Sequence, residues 1–167
     1  NSLLSTPVLR HCQAMLSQTS RLPGIDGNAK MSKSLGNTLT LSASEEEIHK
    51  AVSAMYTDPN HLRISDPGCV EGNVVFTYLD AFHPDTAKVA AMKAHYQQGG
   101  LGDRVCKNEL ETCLQELIAP MRERRNTFIQ DKGALMAILR EGSERARAVT
   151  QATLEEVKRG LGLPMLG

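Results

Sequence analysis

The stretch that decides the fold is "DRVCKNELETCLQELIAPMRERRNTFI", residues 103–129. Its large apolar side chains recur mostly at the three- and four-residue spacings that mark one face of an α-helix. They are Leu110, Leu114, Leu117, Ile118, Met121 and Phe128. Pro120 lies inside the run and removes one backbone donor, but the apolar stripe resumes in register after it. We therefore expect one long, kinked helix.

Shorter helices are predicted before this stretch. Ser44 and Glu47 have the spacing of a capping box, which begins a helix that runs to about Met55. Two Asp-Pro pairs then interrupt the helical pattern. Helical spacing returns in residues 72–82 and in "DTAKVAAMKAHYQQ", residues 85–98, which ends at two glycines. We expect these two helices to pack as an antiparallel pair.

Two more helices are predicted after the long one, in "GALMAILREG", residues 133–142, and "RARAVTQATLEEVKRGLG", residues 145–162. The second has an apolar face that we expect to point inward. Its members are Ala146, Val149, Thr153, Leu154, Val157 and Leu161. Residues 44–162 are therefore predicted to form a mainly α fold, a bundle of about five or six helices.

The segment before residue 44 lacks the apolar spacing of a long helix. The run "RLPGIDGNAKMSKSLGN", residues 21–37, is dense in residues that favour turns and left-handed backbone, and it predicts a loop. The following "TLTLS", residues 38–42, alternates with period two and predicts a short edge strand. A short helix is predicted after Pro7.

Composition excludes several classes of function. The 167 residues carry 19 Lys and Arg against 19 Asp and Glu, so the net charge gives no overall attraction for nucleic acid or an anionic membrane. The four cysteines have neither C-x-x-C spacing nor a zinc-finger arrangement, which predicts reduced thiols and no metal site. No apolar run is long enough to cross a bilayer, and no signal pattern opens the chain, so we expect a cytoplasmic protein without a membrane partner.

Two lysines make the loop chemically interesting. Lys30 and Lys33 lie three residues apart between glycines, and such a loop can place ammonium groups, hydroxyls and backbone amides around a polyphosphate. Lysine is a mobile point charge that can follow negative charge onto a departing pyrophosphate. Met31, between charged neighbours, is expected to pack inward as an anchor. The alternative is that these lysines and serines are simply solvated.

The motif "KMSKS", residues 30–34, resembles the signature loop of class I aminoacyl-tRNA synthetases, and "LPGIDGNAKMSKSLGN", residues 22–37, is similar to its form in tryptophanyl-tRNA synthetases. The segments "SASEEEIHKAV", "TDPNHLRISDPG" and "GNVVFTYLDAF" follow in the order seen in that family. The resemblance implies ATP-dependent activation of tryptophan to the adenylate, with pyrophosphate as leaving group, and transfer to tRNA(Trp).

The resemblance also implies roles for loop residues. Lys30 and Lys33 are the expected catalytic residues, which bind the pyrophosphate part of ATP and stabilise its developing charge. The expected ATP and pyrophosphate site consists of Asp26, Lys30, Met31, Ser32, Lys33 and Ser34. Asp26 is expected to hold the loop closed, and as an Asp-Gly pair it equally fits a simple turn. ATP enters with Mg²⁺ as a substrate, and no tightly bound metal is expected in this chain.

The family also needs a nucleotide-binding half with a "HIGH"-type motif, and none of the five histidines lies in an H-x-G-H pattern. We therefore expect the carboxy-terminal part of a longer, homodimeric enzyme, inactive alone. Residues 1–41 would be a remnant of its α/β catalytic domain, carrying the loop at residues 26–37, and residues 42–167 its helical anticodon-binding domain.

Arginines are the candidates for tRNA contact in the helical part, because phosphates are bound by cations. They form two clusters, Arg122, Arg124 and Arg125, and Arg140, Arg145 and Arg147. The alternative is a solvated face paired with nearby glutamates. Two other readings of the whole chain also remain open here: part of a tyrosyl-tRNA synthetase, or a free-standing helical module that binds RNA or protein.

Overall fold

The computed structural model describes residues 8–17, 19, 21–27 and 30–163. These residues form a 3₁₀ turn at Lys33–Leu35 and five α-helices: α1 Glu45–Ala54, α2 Val74–Phe82, α3 Thr86–Gln98, α4 Asp103–Gln130 and α5 Lys132–Gly160. The prediction of a mainly α fold with five or six helices is confirmed. No helix among the described residues is both long and apolar enough to cross a membrane.

Three sequence expectations are wrong in the described residues. Residues 38–42 form no strand, and residues 8–17 form no helix after Pro7, whereas Pro7 itself lies outside the described residues. The two helices predicted after α4 are one continuous helix, α5. Gly142 lowers helix propensity by about 1 kcal/mol relative to alanine, but without a proline nearby it does not end the helix.

The start of α1 was correctly located because its capping box is visible in the sequence. At α1 the Glu47 amide donates to Ser44 Oγ at 3.2 Å, and the Ser44 amide donates to Glu47 Oε2 at 2.7 Å. Asn73 caps α2 by accepting from the Val75 amide at 3.1 Å. Each cap satisfies backbone donors that a helix start leaves unpaired.

Residues Leu16–Asn126 form one compact unit, in which α1 to α4 share a core. Its fully buried members include Ile48, Val52, Val75, Phe76, Leu79, Tyr96, Leu110, Leu114 and Ile118. α2 and α3 pack against each other, as expected. The α4 stripe is buried only as far as Ile118, since Phe128 is 49% exposed.

A buried polar cluster fixes the loop between α1 and α2 against the start of α4. The Tyr96 hydroxyl donates to Asp103 Oδ1 at 2.7 Å, and His61 Nδ1 lies 3.2 Å from Asp103 Oδ2. Burial, followed by the hydrogen bond to Asp103, raises the pKa of Tyr96 far above its usual value. A Cβ added at Gly68 would lie 2.2 Å from the Tyr96 ring, so this contact requires glycine.

The second compact unit comprises the described residues of Asn1–Met15 and Thr127–Gly167. No α5 side chain is buried, and Val149 is 68% exposed. The prediction that the apolar face of α5 points inward is therefore wrong for the described residues. An amphipathic pattern shows which face of a helix would prefer burial. The described residues of this unit outside α5 are 8–15, 127–131 and 161–163, and they leave that face exposed.

Candidate functional site

The lysine loop is held by its own backbone. An isolated antiparallel bridge joins Pro23 to Lys30, and the Ile25 amide donates to the Asn37 carbonyl at 3.1 Å. The Gly27 amide donates to the Gly24 carbonyl at 3.0 Å and closes a tight turn. Gly27 has φ of 75°, a left-handed conformation that favours glycine. Where it is described, the predicted loop is thus a hydrogen-bonded turn structure.

The loop is also tied to the helical core. The Tyr56 amide donates to the Ile25 carbonyl at 3.0 Å, and the Tyr78 hydroxyl donates to the Pro23 carbonyl at 2.8 Å. Ile25 and Met31 are partly buried against the core. Met31 therefore packs inward, as the sequence predicts, whereas the preceding Lys30 is exposed.

Both lysines face solvent from this anchored backbone. Lys33 begins the 3₁₀ turn, which closes where the Gly36 amide donates to the Lys33 carbonyl at 3.2 Å. Lys30 and Lys33 are exposed, and neither belongs to an ion pair within the part of the chain that is described. Ser32 Oγ and Ser34 Oγ lie 2.8 Å apart. The arrangement presents two ammonium groups and two hydroxyls to an anion.

Asn37 was missed by sequence reasoning. Its side chain is buried, with the residue 4% exposed, and its Oδ1 accepts from the Ser32 amide at 2.8 Å. Its Nδ2 lies 3.3 and 3.2 Å from the two Asp26 carboxylate oxygens and 3.5 Å from the Lys30 carbonyl. An asparagine after a glycine in a turn-rich run is expected at the surface, so no local pattern signals its burial.

Asp26 is held in place by the turn and by Asn37. It lies within the turn between Gly24 and Gly27, and its carboxylate accepts from the Asn37 carboxamide. The charge of Asp26 also acts on Tyr78. Burial, with a smaller contribution from Asp26, raises the pKa of Tyr78 to about 12.

Replacing Tyr78 by phenylalanine should lower the free energy of unfolding of the 167-residue chain by about 1 kcal/mol, because the Pro23 carbonyl loses its donor. A tyrosine with a raised pKa contributes stability that is complete below about pH 10 and is lost toward about pH 12. The variant should therefore lose less stability than the wild type over that range. Urea titrations at pH 7.5 and above measure both effects.

Tyr56→Phe is the matched control, since Tyr56 is 43% exposed and should change stability by less than about 0.5 kcal/mol. Equal losses for the two variants would contradict the Tyr78 anchor.

The candidate arginines have different surroundings. Arg122 Nη1 donates to the Ala43 carbonyl at 2.7 Å, and its Nη2 lies 3.2 Å from Glu45 Oε1, so this side chain ties α4 to the start of α1. The other five are exposed: Arg124 and Arg125 on α4, and Arg140, Arg145 and Arg147 on α5. The two clusters belong to different compact units. Among the described residues, no group of three or more His, Cys, Asp or Glu side chains could hold a metal ion.

Comparison with known proteins places these features in context. The family described as tRNA synthetases class I (W and Y) matches residues 4–119. A tryptophan–tRNA ligase from Streptococcus pyogenes serotype M3 is 53% identical over 145 residues, which cover 86% of this chain and 43% of the relative. One from Clostridium longisporum is 52% identical over 143 residues, covering 86% and 42%.

Solved structures give the same relationship. The chain is similar to a tryptophanyl-tRNA synthetase from Campylobacter jejuni complexed with ADP and tryptophane, with a TM-score of 0.68, 28% identity, and coverage of 86% of this chain and 44% of that one. For a Giardia lamblia tryptophanyl-tRNA synthetase the TM-score is 0.57 at 27% identity, covering 63% and 27%. The chain spans less than half the length of the curated relatives it matches.

Proposed function

The chain belongs to the class I tRNA synthetases of the W and Y family, and on that premise we propose that it is part of a tryptophan–tRNA ligase. The complete ligase activates tryptophan with ATP, releases pyrophosphate, and transfers the tryptophanyl group to tRNA(Trp). The observation that carries the proposal is the anchored loop that presents Lys30 and Lys33 to solvent.

The lysines act in the activation step. Negative charge moves onto the pyrophosphate as the bond from the α-phosphorus to its bridging oxygen breaks, and ammonium groups placed there stabilise the transition state more than bound ATP. Ser32 and Ser34 supply hydroxyl or amide contacts to the same phosphates. Met31 holds the loop from the core side, and Asp26 holds its shape through Asn37.

Mg²⁺ enters with ATP as part of the substrate, because this small cation is commonly bound by substrate phosphates together with few protein ligands. The nucleotide and tryptophan pockets belong to the catalytic half of the complete enzyme, to which residues 1–41 contribute the loop. Residues 42–167 form the helical part that binds tRNA. The complete ligase is a cytoplasmic homodimer.

The tryptophan reading is preferred over a tyrosyl enzyme because relatives at 53% and 52% identity are tryptophan–tRNA ligases. A free-standing helical module is disfavoured because the family match runs across residues 4–119, through the loop and into α4.

The direct test is pyrophosphate exchange by the product of the complete gene. Exchange that depends on tryptophan and not on tyrosine would support the proposal, whereas exchange that depends on tyrosine, or none, would overturn it. The 167-residue chain alone should give no exchange, since it has no "HIGH"-type motif.

Arg124 and Arg125 are proposed to contact tRNA phosphates, with Arg140, Arg145 and Arg147 as a second cluster. In the complete ligase, the double replacement of Arg124 and Arg125 by alanine should weaken tRNA binding about tenfold. It should also reduce the slope of log affinity against log salt by up to about 2, as phosphate contacts are lost. Filter binding at several salt concentrations measures the slope.

Arg122→Ala provides the contrast, because the Arg122 guanidinium contacts Ala43 and Glu45. It should lower stability and leave the salt slope unchanged. An unchanged slope for the double variant would reject the assignment of Arg124 and Arg125.

A further inference from the structure

We propose that Asn37 is a positioning residue of the lysine loop: its carboxamide, oriented by Asp26, sets the backbone that presents Lys30 and Lys33 to the pyrophosphate. The inference rests on the proposed ligase function and deepens it. Nothing in the motif "KMSKS" itself includes Asn37, which follows the motif by three residues.

The orientation of the Asn37 carboxamide follows from its partners. The Ser32 amide can only donate, so the atom 2.8 Å from it must be Oδ1. Both oxygens of the Asp26 carboxylate face the carboxamide as acceptors, so the atom opposite them must be the donor Nδ2. A group that both accepts and donates is therefore required at this buried position, and a carboxamide fulfils that requirement.

The Asn37 side chain contacts backbone groups of the motif on both sides of Met31. Its carboxamide reaches the Lys30 carbonyl at 3.5 Å and the Ser32 amide at 2.8 Å, the two backbone groups on either side of Met31. Its own carbonyl accepts from the Ile25 amide at 3.1 Å. Because Lys33 follows Ser32 directly, fixing these backbone groups fixes the points from which both lysine side chains extend.

Gly24 shows how closely the chain surrounds this carboxamide. A Cβ built at Gly24 would lie 2.3 Å from Asn37 Nδ2 and 2.7 Å from Asp26 Oδ1. The space for the Asp26–Asn37 pair therefore exists only because residue 24 has no side chain. Removal of the pair would leave the Ser32 amide without its acceptor in a partly buried position, which costs free energy.

The charge of Asp26 makes the role testable. Asn37→Asp keeps an acceptor for the Ser32 amide but opposes a second carboxylate to Asp26. Two adjacent carboxylates repel each other and raise one pKa, so the defect should decrease as the pH falls and one of them is protonated. The reciprocal exchange, Asp26→Asn with Asn37→Asp, restores one carboxylate and one carboxamide with the same overall composition.

The experiment measures the single-turnover rate of adenylate formation by the complete ligase between about pH 5.5 and 8.5. Asn37→Asp should lower the rate at pH 7.5 by about 10- to 100-fold, with little change in the tryptophan concentration that gives half the maximal rate, and the loss should shrink at pH 5.5. The reciprocal exchange should recover the rate to within about threefold of wild type. Asn108→Asp, at an exposed position on α4, is the matched control and should change nothing.

Two results would overturn the inference. One is a wild-type rate for Asn37→Asp at every pH, and the other is an equal loss for Asn37→Asp and the reciprocal exchange at every pH. Lys30→Ala and Lys33→Ala, assayed alongside, separate this inference from the proposed function. If they reduce the rate and Asn37→Asp does not, the role of Asn37 fails alone, whereas if they leave the rate unchanged, the role of the loop fails with it.

Discussion

Replacing Lys30 and Lys33 together by alanine should lower tryptophan-dependent pyrophosphate exchange by the complete ligase by on the order of 10³- to 10⁵-fold. Removal of one preorganised donor to a developing charge typically costs about 10²- to 10³-fold, and groups that act on the same charge are not additive. Both side chains extend from an anchored backbone into solvent, so their removal should leave the fold intact. The exchange assay measures the loss, and circular dichroism checks the fold.

Lys132→Ala is a matched control, because Lys132 is an exposed lysine at the start of α5. It should retain exchange to within about twofold. A double variant at Lys30 and Lys33 that matches this control would contradict the assignment of the loop.

Leu110→Ala should lower the free energy of unfolding by about 3 kcal/mol. Leu110 is 0% exposed in the core that α1 to α4 share, and truncation there removes buried methyl groups and leaves a cavity. Urea unfolding of the 167-residue chain, followed by circular dichroism, measures the change.

Leu139→Ala is the corresponding change at an exposed position, since Leu139 on α5 is 55% exposed. Its expected cost is below about 0.5 kcal/mol. Similar losses at the two positions would mean that α5 buries its apolar face, contrary to the structure described above.

Helices with strong local signals were predictable from the sequence. The capping box at Ser44 and Glu47 and the stripe of α4 both depend on residues within a few positions of one another. α4 continues through Pro120, as expected from the apolar pattern that is retained on both sides of it. Local hydrogen bonding and helical periodicity are sufficient for such elements.

The exposure of the apolar face of α5 was not predictable from its own sequence. Whether such a face is buried depends on other parts of the chain that pack against it. Its stripe has the same spacing as that of α4, yet Leu110 is buried and Val149 is 68% exposed. Periodicity identifies the apolar face of a helix and says nothing about whether a partner covers it.

For the candidate site, the sequence identified the charged residues but not the contacts that hold the loop in place. Lys30 and Lys33 were identified by residue type and motif, and Met31 by its place between charged neighbours. Asn37 acts across eleven residues to Asp26, and Tyr78 across 55 residues to Pro23. Contacts at such separations depend on the folded backbone, which no local pattern specifies.

The central claim is that the two lysines stabilise the departing pyrophosphate in the transition state. The most direct test is the single-turnover rate constant of adenylate formation at saturating ATP, measured together with the dissociation constant of ATP, for Lys30→Ala and Lys33→Ala in the complete ligase. We predict a rate constant at least about 100-fold lower for each variant, with ATP affinity changed less than about tenfold. Wild-type rate constants, or a loss that lies entirely in ATP affinity, would contradict the claim.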